Sequence, residues 1–214
     1  MWAMTSGYPI LLSLAGRQCI IVGGGAVAAR KARGLLRAGA DHVRMIAPQF
    51  AADVPDGVQR IQRVYQHTDI DGAFVVFAAT DSSDVNSSVV SDCARRGILV
   101  SRADADEADS GDFVSMAQLI RGPVQVAVAS GGAALSVKIR DRLAESWDDR
   151  WTAAAVAMVE LRDEFKQRFD EPTRRNLFRE MSSDEAMDVA ASEGTAGVRR
   201  WIESRVAVAE GRAS

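Results

Sequence analysis

Residues 18–38 read QCIIVGGGAVAARKARGLLRA. The short apolar run from Gln18 to Val22 has the length and content of a buried strand. From Ala26 to Ala38 the pattern changes to a helix, with Ala28, Ala32, Leu35 and Leu36 on one face. Gly39 stands where glycine often closes a helix. Between strand and helix, Gly23-Gly24-Gly25-Ala26-Val27-Ala28 matches G-x-G-x-x-A. Gly23 permits the tight turn, Gly25 lets the backbone approach a pyrophosphate, and Ala28 allows close helix–sheet packing. Ala26 and Val27 open the helix, whose first amides and dipole favour an anion. A strand before the motif and a helix after it are the context it needs. Gly23, Gly25, Ala26 and Val27 are therefore candidate dinucleotide-binding residues; the competing reading is a tight turn with no ligand.

Outward from this stretch, strands and helices alternate. Strands are expected over 42–47, 58–65, 74–79 and 98–102, with a helix over 81–96 capped by Ser82 or Ser83. Continuous apolar strands between helices indicate a parallel sheet covered on both faces, a Rossmann-type doubly wound α/β fold. Residues 103–112 (ADADEADSGD) are acidic and turn-rich, and read as a loop or hinge. One more strand follows at 124–130. Beyond Ala133 only helices are expected, at 135–147, 152–169, 174–181, 184–191 and 198–208, with Pro172 as a breaker. The organisation is a nucleotide-binding domain over 1–112, a small linking α/β domain over 113–147 and a helical C-terminal domain over 148–214.

Composition excludes several classes. With 214 residues, 47% hydrophobic and 26% charged, the chain can bury ordinary soluble cores. A net charge of −3, from 26 basic and 29 acidic residues, is not that of a nucleic-acid binder. No apolar run reaches the roughly 20 residues of a membrane-spanning helix, and the N-terminus is not a signal peptide. A cytoplasmic protein is expected, with Cys19 and Cys93 as buried free thiols; the competing reading is a disulfide between them. His42 and His67 stand far apart and no Cys/His cluster has metal-ligand spacing, so no dedicated metal site is expected.

Other candidates sit where strands end. In sheets of this kind ligands bind outside the carboxyl ends of the strands. Ala47 and Pro48 occupy the end of the second strand, where an acidic residue would hold the ribose diol of NAD. No arginine follows to hold a 2′-phosphate, which favours NAD over NADP. Thr80 and Asp81 end the fourth strand and are placed to line the cleft, although Asp81 could instead cap the next helix. Arg30 and Lys31 read either as a solvated helix face or as charges near the ligand. Ser130-Gly131-Gly132 joins a strand to a helix, as a second anion cradle or as a simple turn. An acid past the fifth strand could move a proton in a redox step. Asp104, Asp106, Glu107, Asp109 and Asp112 are equivalent on this ground.

The segments YPILLSLAGRQCIIVGGGAVAARKARGLLRAGA, FAATDSSDVN and RGPVQVAVASGG, in that order, resemble the precorrin-2 dehydrogenase family of sirohaem synthesis. That family includes stand-alone enzymes and the N-terminal module of sirohaem synthases. The resemblance continues through LRDEFKQRFDEPTRRNLFREM. It implies oxidation of precorrin-2 to sirohydrochlorin with NAD as hydride acceptor and, in some members, insertion of Fe²⁺ by a ferrochelatase activity. It implies Asp104 as the acid/base residue, because the family's fifth-strand motif maps onto Arg102-Ala103-Asp104. It links Ser130 to a serine phosphorylated in some members and implies a homodimer. The sequence departs from the family at Ser101, where asparagine is usual, and at Arg102, where an apolar residue is usual. The loop 105–112 is longer and more acidic than usual, and Ala133-Ala134-Leu135 replaces a Thr/Ser-Pro pair. Two other readings compete: a non-catalytic NAD-binding sensor module, and a dehydrogenase or chelatase for another modified tetrapyrrole.

Overall fold

The computed structural model describes residues 7–103 and 111–211. The chain divides into two compact units, Met1–Ser115 and Met116–Ser214. The first unit contains β1 (Gln18–Val22), α1 (Ala26–Arg37), β2 (His42–Ala47), β3 (Gln59–Gln62), β4 (Val75–Ala78), α2 (Ser83–Arg96) and β5 (Leu99–Arg102). Its strands form one sheet in the order β3-β2-β1-β4-β5, with every neighbouring pair parallel.

Alternation along the central strands divides the core into two layers. Cys19, Ile21, Val75 and Phe77 pack with Ala28, Ala29, Ala32 and Leu35 of α1. Ile20, Val22, Val76 and Ala78 face the other way, against Val89 and Cys93 of α2. Both faces are thus apolar, as a doubly covered parallel sheet requires. The alanines of α1 let that helix approach the strands closely. Ser82 caps α2 by accepting the Val85 amide at 3.4 Å, and Gly97, at φ 65°, closes it.

The open edge of β5 is covered from within the chain. Gly111 bridges back to Ser101 in antiparallel fashion. Asp112 donates its amide to the Val100 carbonyl at 2.8 Å, and its carboxylate accepts the Val100 amide at 2.9 Å. Of the five acids considered after the fifth strand, Asp112 is thereby engaged with the sheet edge. Asp104, Asp106, Glu107 and Asp109 lie outside the described residues.

The second unit begins with a hairpin, where the sequence pattern suggested a single strand. β6 (Ala117–Arg121) pairs antiparallel with β7 (Val124–Val128) across Gly122-Pro123. The alternation of β6 is too weak to reveal a strand until its partner is in place. Helices α3 (Ala133–Glu145), α4 (Asp149–Arg168), α5 (Glu171–Glu180) and α6 (Asp184–Gly211) follow. Ala154, Ala157, Leu161 and Phe165 form the buried stripe of α4, packed with Leu177, Met181, Ala190, Val198 and Ile202. Pro172 lies in the first turn of α5, where its missing N–H costs nothing, and Asp170 caps that helix by accepting the Thr173 amide at 3.0 Å. Gly194, at φ 63°, breaks the helical path of α6 between the two helices expected from the sequence.

Among the described residues of the first unit, one carboxylate is fully buried. Asp92, on α2, accepts hydrogen bonds from Tyr65 Oη and His67 Nδ1, both at 2.8 Å, and pairs with Arg95. Burial pushes its pKa up, but the bonds from His67 and Tyr65 and the Arg95 charge outweigh that, so Asp92 titrates below the usual carboxylate range. A depressed folded-state pKa adds stability above the unfolded value of about 3.9, and that stability is lost as pH falls through the folded value. Asp92→Ala should therefore cost about 1–3 kcal/mol in urea unfolding at pH 7. The gap between parent and variant should shrink below about pH 4; a gap that persists unchanged at lower pH would disprove the titration.

Candidate functional site

The β1–α1 turn is wedged between the ends of two neighbouring strands. The Gly23 amide donates to the Ile46 carbonyl of β2 at 2.9 Å, and the Ala79 amide, just past β4, donates to the Val22 carbonyl at 2.8 Å. Gly23 has φ +139°, and a Cβ there would lie 2.2 Å from the Ala79 carbonyl oxygen. A Cβ on Gly24 would lie 2.0 Å from the Gln49 carbonyl oxygen. Both residues are glycine because backbone from another segment occupies the side-chain position.

Gly25 is different. Its φ of −80° suits any residue, and a Cβ would meet nothing within 4 Å. Glycine here keeps space open at the N-terminus of α1. That helix has no side-chain cap and no acid in its first turn. Its first amides have no acceptor within the helix, so they suit an anion. Ala26 and Val27 are exposed beside them, while Ala28 is buried against the sheet.

This turn forms the floor of a cleft of about 730 Å³, within the size range of ligand sites. Gly23, Gly25, Ala26, Val27, Ala47, Pro48, Thr80 and Asp81 all line it. The first unit therefore brings every candidate cofactor residue to one place. Gly24, Gln49, Val64, Tyr65, Ser82, Val85 and Ala103 line it as well. Sequence reasoning missed these, although Gly24 lay in the motif and Gln49 follows the strand-end pair it singled out. The open space at Gly25 and the uncapped helix start fit a dinucleotide whose pyrophosphate sits on the α1 amides.

The wall at the end of β4 is held from below. Asn86, fully buried on α2, accepts the Thr80 amide at 3.1 Å and donates to the Thr80 carbonyl at 3.0 Å. The Thr80 hydroxyl lies 2.8 Å from Asn86 Oδ1 and 3.0 Å from the Ser82 carbonyl, and accepts the Ser82 amide at 3.2 Å. A hydroxyl has one proton to give, so Thr80 spends it inside the turn. Ser82, not Asp81, caps α2, which leaves Asp81 exposed on the cleft.

Arg30 is exposed, as a solvated helix face requires, but Lys31 is not. Lys31 Nζ donates to Ser115 Oγ at 2.8 Å and lies 5.6 Å from the centre of the Phe77 ring. Burial, and then the Arg30 charge, lower its pKa. Cys19 and Cys93 are buried and unbridged, and burial pushes their pKa values to about 11 and about 12, which leaves them unreactive thiols. Among the described residues, no three His, Cys, Asp or Glu side chains come together in a way that could hold a metal ion. No helix among them is long and apolar enough to cross a membrane.

Ser130, Gly131 and Gly132 lie in the second unit, between β7 and α3. Gly132 is the N-cap of α3, with no side-chain cap and no acid in the first turn. Ser130 Oγ is 2.8 Å from Ser136 Oγ and 3.1 Å from the Gly132 carbonyl. Ser136 is buried and donates to that same carbonyl at 3.2 Å. Asp104, the residue the resemblance singled out, lies outside the described residues. Its neighbour Ala103 lines the cleft and donates its amide to the Ala78 carbonyl at 2.9 Å.

A family described as NAD(P)-binding matches residues 10–117. The siroheme synthase of Chromobacterium violaceum is 36% identical over 208 residues, covering 94% of this chain and 44% of the relative. That of Methylococcus capsulatus is 36% identical over 195 residues, covering 88% and 40%. The chain thus spans less than half the length of these relatives. A solved structure of SirC, a precorrin-2 dehydrogenase, superposes with a TM-score of 0.72 at 23% identity, covering 92% of this chain and 98% of that one. It shares the fold.

Gly24 and Gly25 should separate under substitution. Gly24→Ala forces a carbonyl to move and should cost about 1–3 kcal/mol of stability. Gly25→Val meets no clash and exchanges one N-cap residue for a poorer one, so it should cost no more than about 1 kcal/mol while weakening NAD binding more than about tenfold. Thermal unfolding and isothermal titration with NAD measure the two effects; a Gly25→Val protein that binds NAD normally would remove the ligand from this turn.

Proposed function

The chain belongs to the NAD(P)-binding family, and we propose that it oxidises precorrin-2 to sirohydrochlorin with NAD as acceptor. The observation that carries the nucleotide half of this reading is the open space at Gly25 above the uncapped start of α1. The substrate half rests on the likeness to siroheme synthases across 94% of the chain. NAD is preferred to NADP because Ala47, Pro48 and Gln49 bring no cation to the cleft beyond β2. The missing ribose acid is then not replaced by a phosphate-binding group.

In this reading the α1 amides hold the pyrophosphate and the Thr80–Asp81 rim bounds the reacting end. When bound, NAD supplies the hydride-accepting nicotinamide. The substrate loses one hydride and one proton, and we assign the proton to Asp104, which follows the cleft residue Ala103. Ser130, Gly131 and Gly132 are assigned to substrate carboxylates, for which the uncapped start of α3 is suited. Residues 113–147 and 148–214 are proposed as separate linking and helical domains. Two buried free thiols fit a reducing compartment, and the cytoplasm is proposed as the site of action.

A second copy of this chain is the proposed partner of α3. That helix buries only Ser136 and leaves Leu135, Val137, Ile139 and Leu143 between 38% and 51% exposed, and Ile120 of β6 is 41% exposed. A two-stranded hairpin is marginal by itself, and these exposed apolar side chains are the ones a second copy would cover. Leu135→Lys with Leu143→Lys should shift the mass measured by light scattering from dimer to monomer; a parent protein that is monomeric would dismiss the homodimer.

The oxidation is tested with purified protein, precorrin-2 and NAD under anaerobic conditions, following NADH absorbance. Turnover is expected, with Asp104→Ala reduced at least about 100-fold. No turnover despite NAD binding would favour the sensor reading, and an Asp104→Ala protein of full activity would end that residue's assignment. Sirohydrochlorin with Fe²⁺ and no nucleotide tests metal insertion separately, by the appearance or absence of sirohaem.

A further inference from the structure

We infer that Asn86 is the positioning residue of the nucleotide cleft, acting through Thr80 without touching the ligand. The inference rests on the nucleotide reading and goes beyond it. At Thr80 the chain leaves the sheet. A peptide group in that position needs a donor and an acceptor, and an unmet buried one is costly. The side-chain amide of Asn86 offers both, as a strand neighbour would. It meets the Thr80 amide and carbonyl at 3.1 and 3.0 Å. It also stands 2.8 Å from the Thr80 hydroxyl. One side chain thus fixes both backbone polar groups and the hydroxyl of a single residue.

The effect passes to the glycine turn. Thr80 follows Ala79, whose amide is bonded to the Val22 carbonyl and whose carbonyl occupies the space where Gly23 would carry a Cβ. A shift at Thr80 therefore displaces backbone packed against the phosphate-binding turn. Asn86 itself is fully buried and does not line the cleft, whereas Thr80, Asp81 and Ser82 do. Direct ligand contact is thereby excluded as its role. An apolar residue would fill the same volume but leave two peptide groups unmet. An aspartate would keep the acceptor and lose the donor to the Thr80 carbonyl.

The test compares Asn86→Ala, Asn86→Asp and Val89→Ala in the full chain. Val89 is a fully buried neighbour on α2 that makes its contacts through apolar packing and does not itself line the cleft. Thermal unfolding, NAD dissociation constants from titration calorimetry and amide hydrogen exchange of residues 79–82 without ligand are measured for each. Asn86→Ala should raise the NAD dissociation constant about tenfold and speed exchange at Thr80. Asn86→Asp should fall between it and the parent, and it carries the comparison if the alanine variant does not fold. Val89→Ala should lower the unfolding temperature while changing the dissociation constant less than twofold. Asn86 variants that bind NAD within twofold of the parent would overturn the inference and leave the proposed function standing. So would a Val89→Ala protein that loses as much affinity. A parent chain with no affinity for NAD would overturn the nucleotide reading, and this inference with it.

Discussion

Backbone packed on backbone at the ends of three parallel strands sets the geometry of the first unit. The Gly23 position is closed by the Ala79 carbonyl, and the Gly24 position by the Gln49 carbonyl. Side chains would push these segments apart, and the Gly23–Ile46 and Ala79–Val22 hydrogen bonds would go with them. The turn can therefore carry α1 off the sheet at only one place. The amides at the start of α1 and the cleft above them follow from that contact.

Two kinds of residue build the cleft, those that support its walls and those that face it. Gly23, Gly24, Ala28, Asn86 and the Thr80 hydroxyl are engaged with the protein itself. Gly25, Ala26, Val27 and Asp81 are not, and their exposed positions face the space a ligand would fill. The division has an energetic basis. Groups satisfied internally are held rigidly and cost nothing further on binding, whereas uncapped helix amides gain most from an anion. The FAATDSSDVN segment is then a physical unit: its one asparagine is hydrogen-bonded to its one threonine.

The second unit distributes its burial unevenly. α4, α5 and α6 share a continuous apolar core, with Leu161 and Phe165 at its centre. β6, β7 and α3 bury little by themselves, with Leu119 and Ser136 as their buried side chains. Hydrophobic stabilisation scales with the apolar area removed from water. The helical part can thus stand on its own packing, while the hairpin and α3 have much of theirs left to gain from a partner.

The local patterns along the chain were sufficient for the sheet strands, for α1 and α2, and for the glycine turn, because periodicity and turn chemistry are short-range properties. Ser82 as a cap and Gly97 as a stop belong to the same class. β6 was not legible, because its side chains do not alternate cleanly and its strand exists through pairing with β7. In sequence, Pro172 looks the same whether it breaks a helix or starts one, and only Asp170 capping α5 distinguishes the two. Nor could sequence tell why Gly24 differs from Gly25, or that Asn86 reaches back to Thr80, or that Tyr65 lines the cleft while bonding to Asp92. Each depends on segments distant in the chain arriving at the same point. Residues 18–38 by themselves determined that a strand, a phosphate-type turn and a helix would follow one another. Tertiary structure decided which glycines of the turn serve the fold and which one is left open, because that depends on whether another backbone fills the place of the missing Cβ.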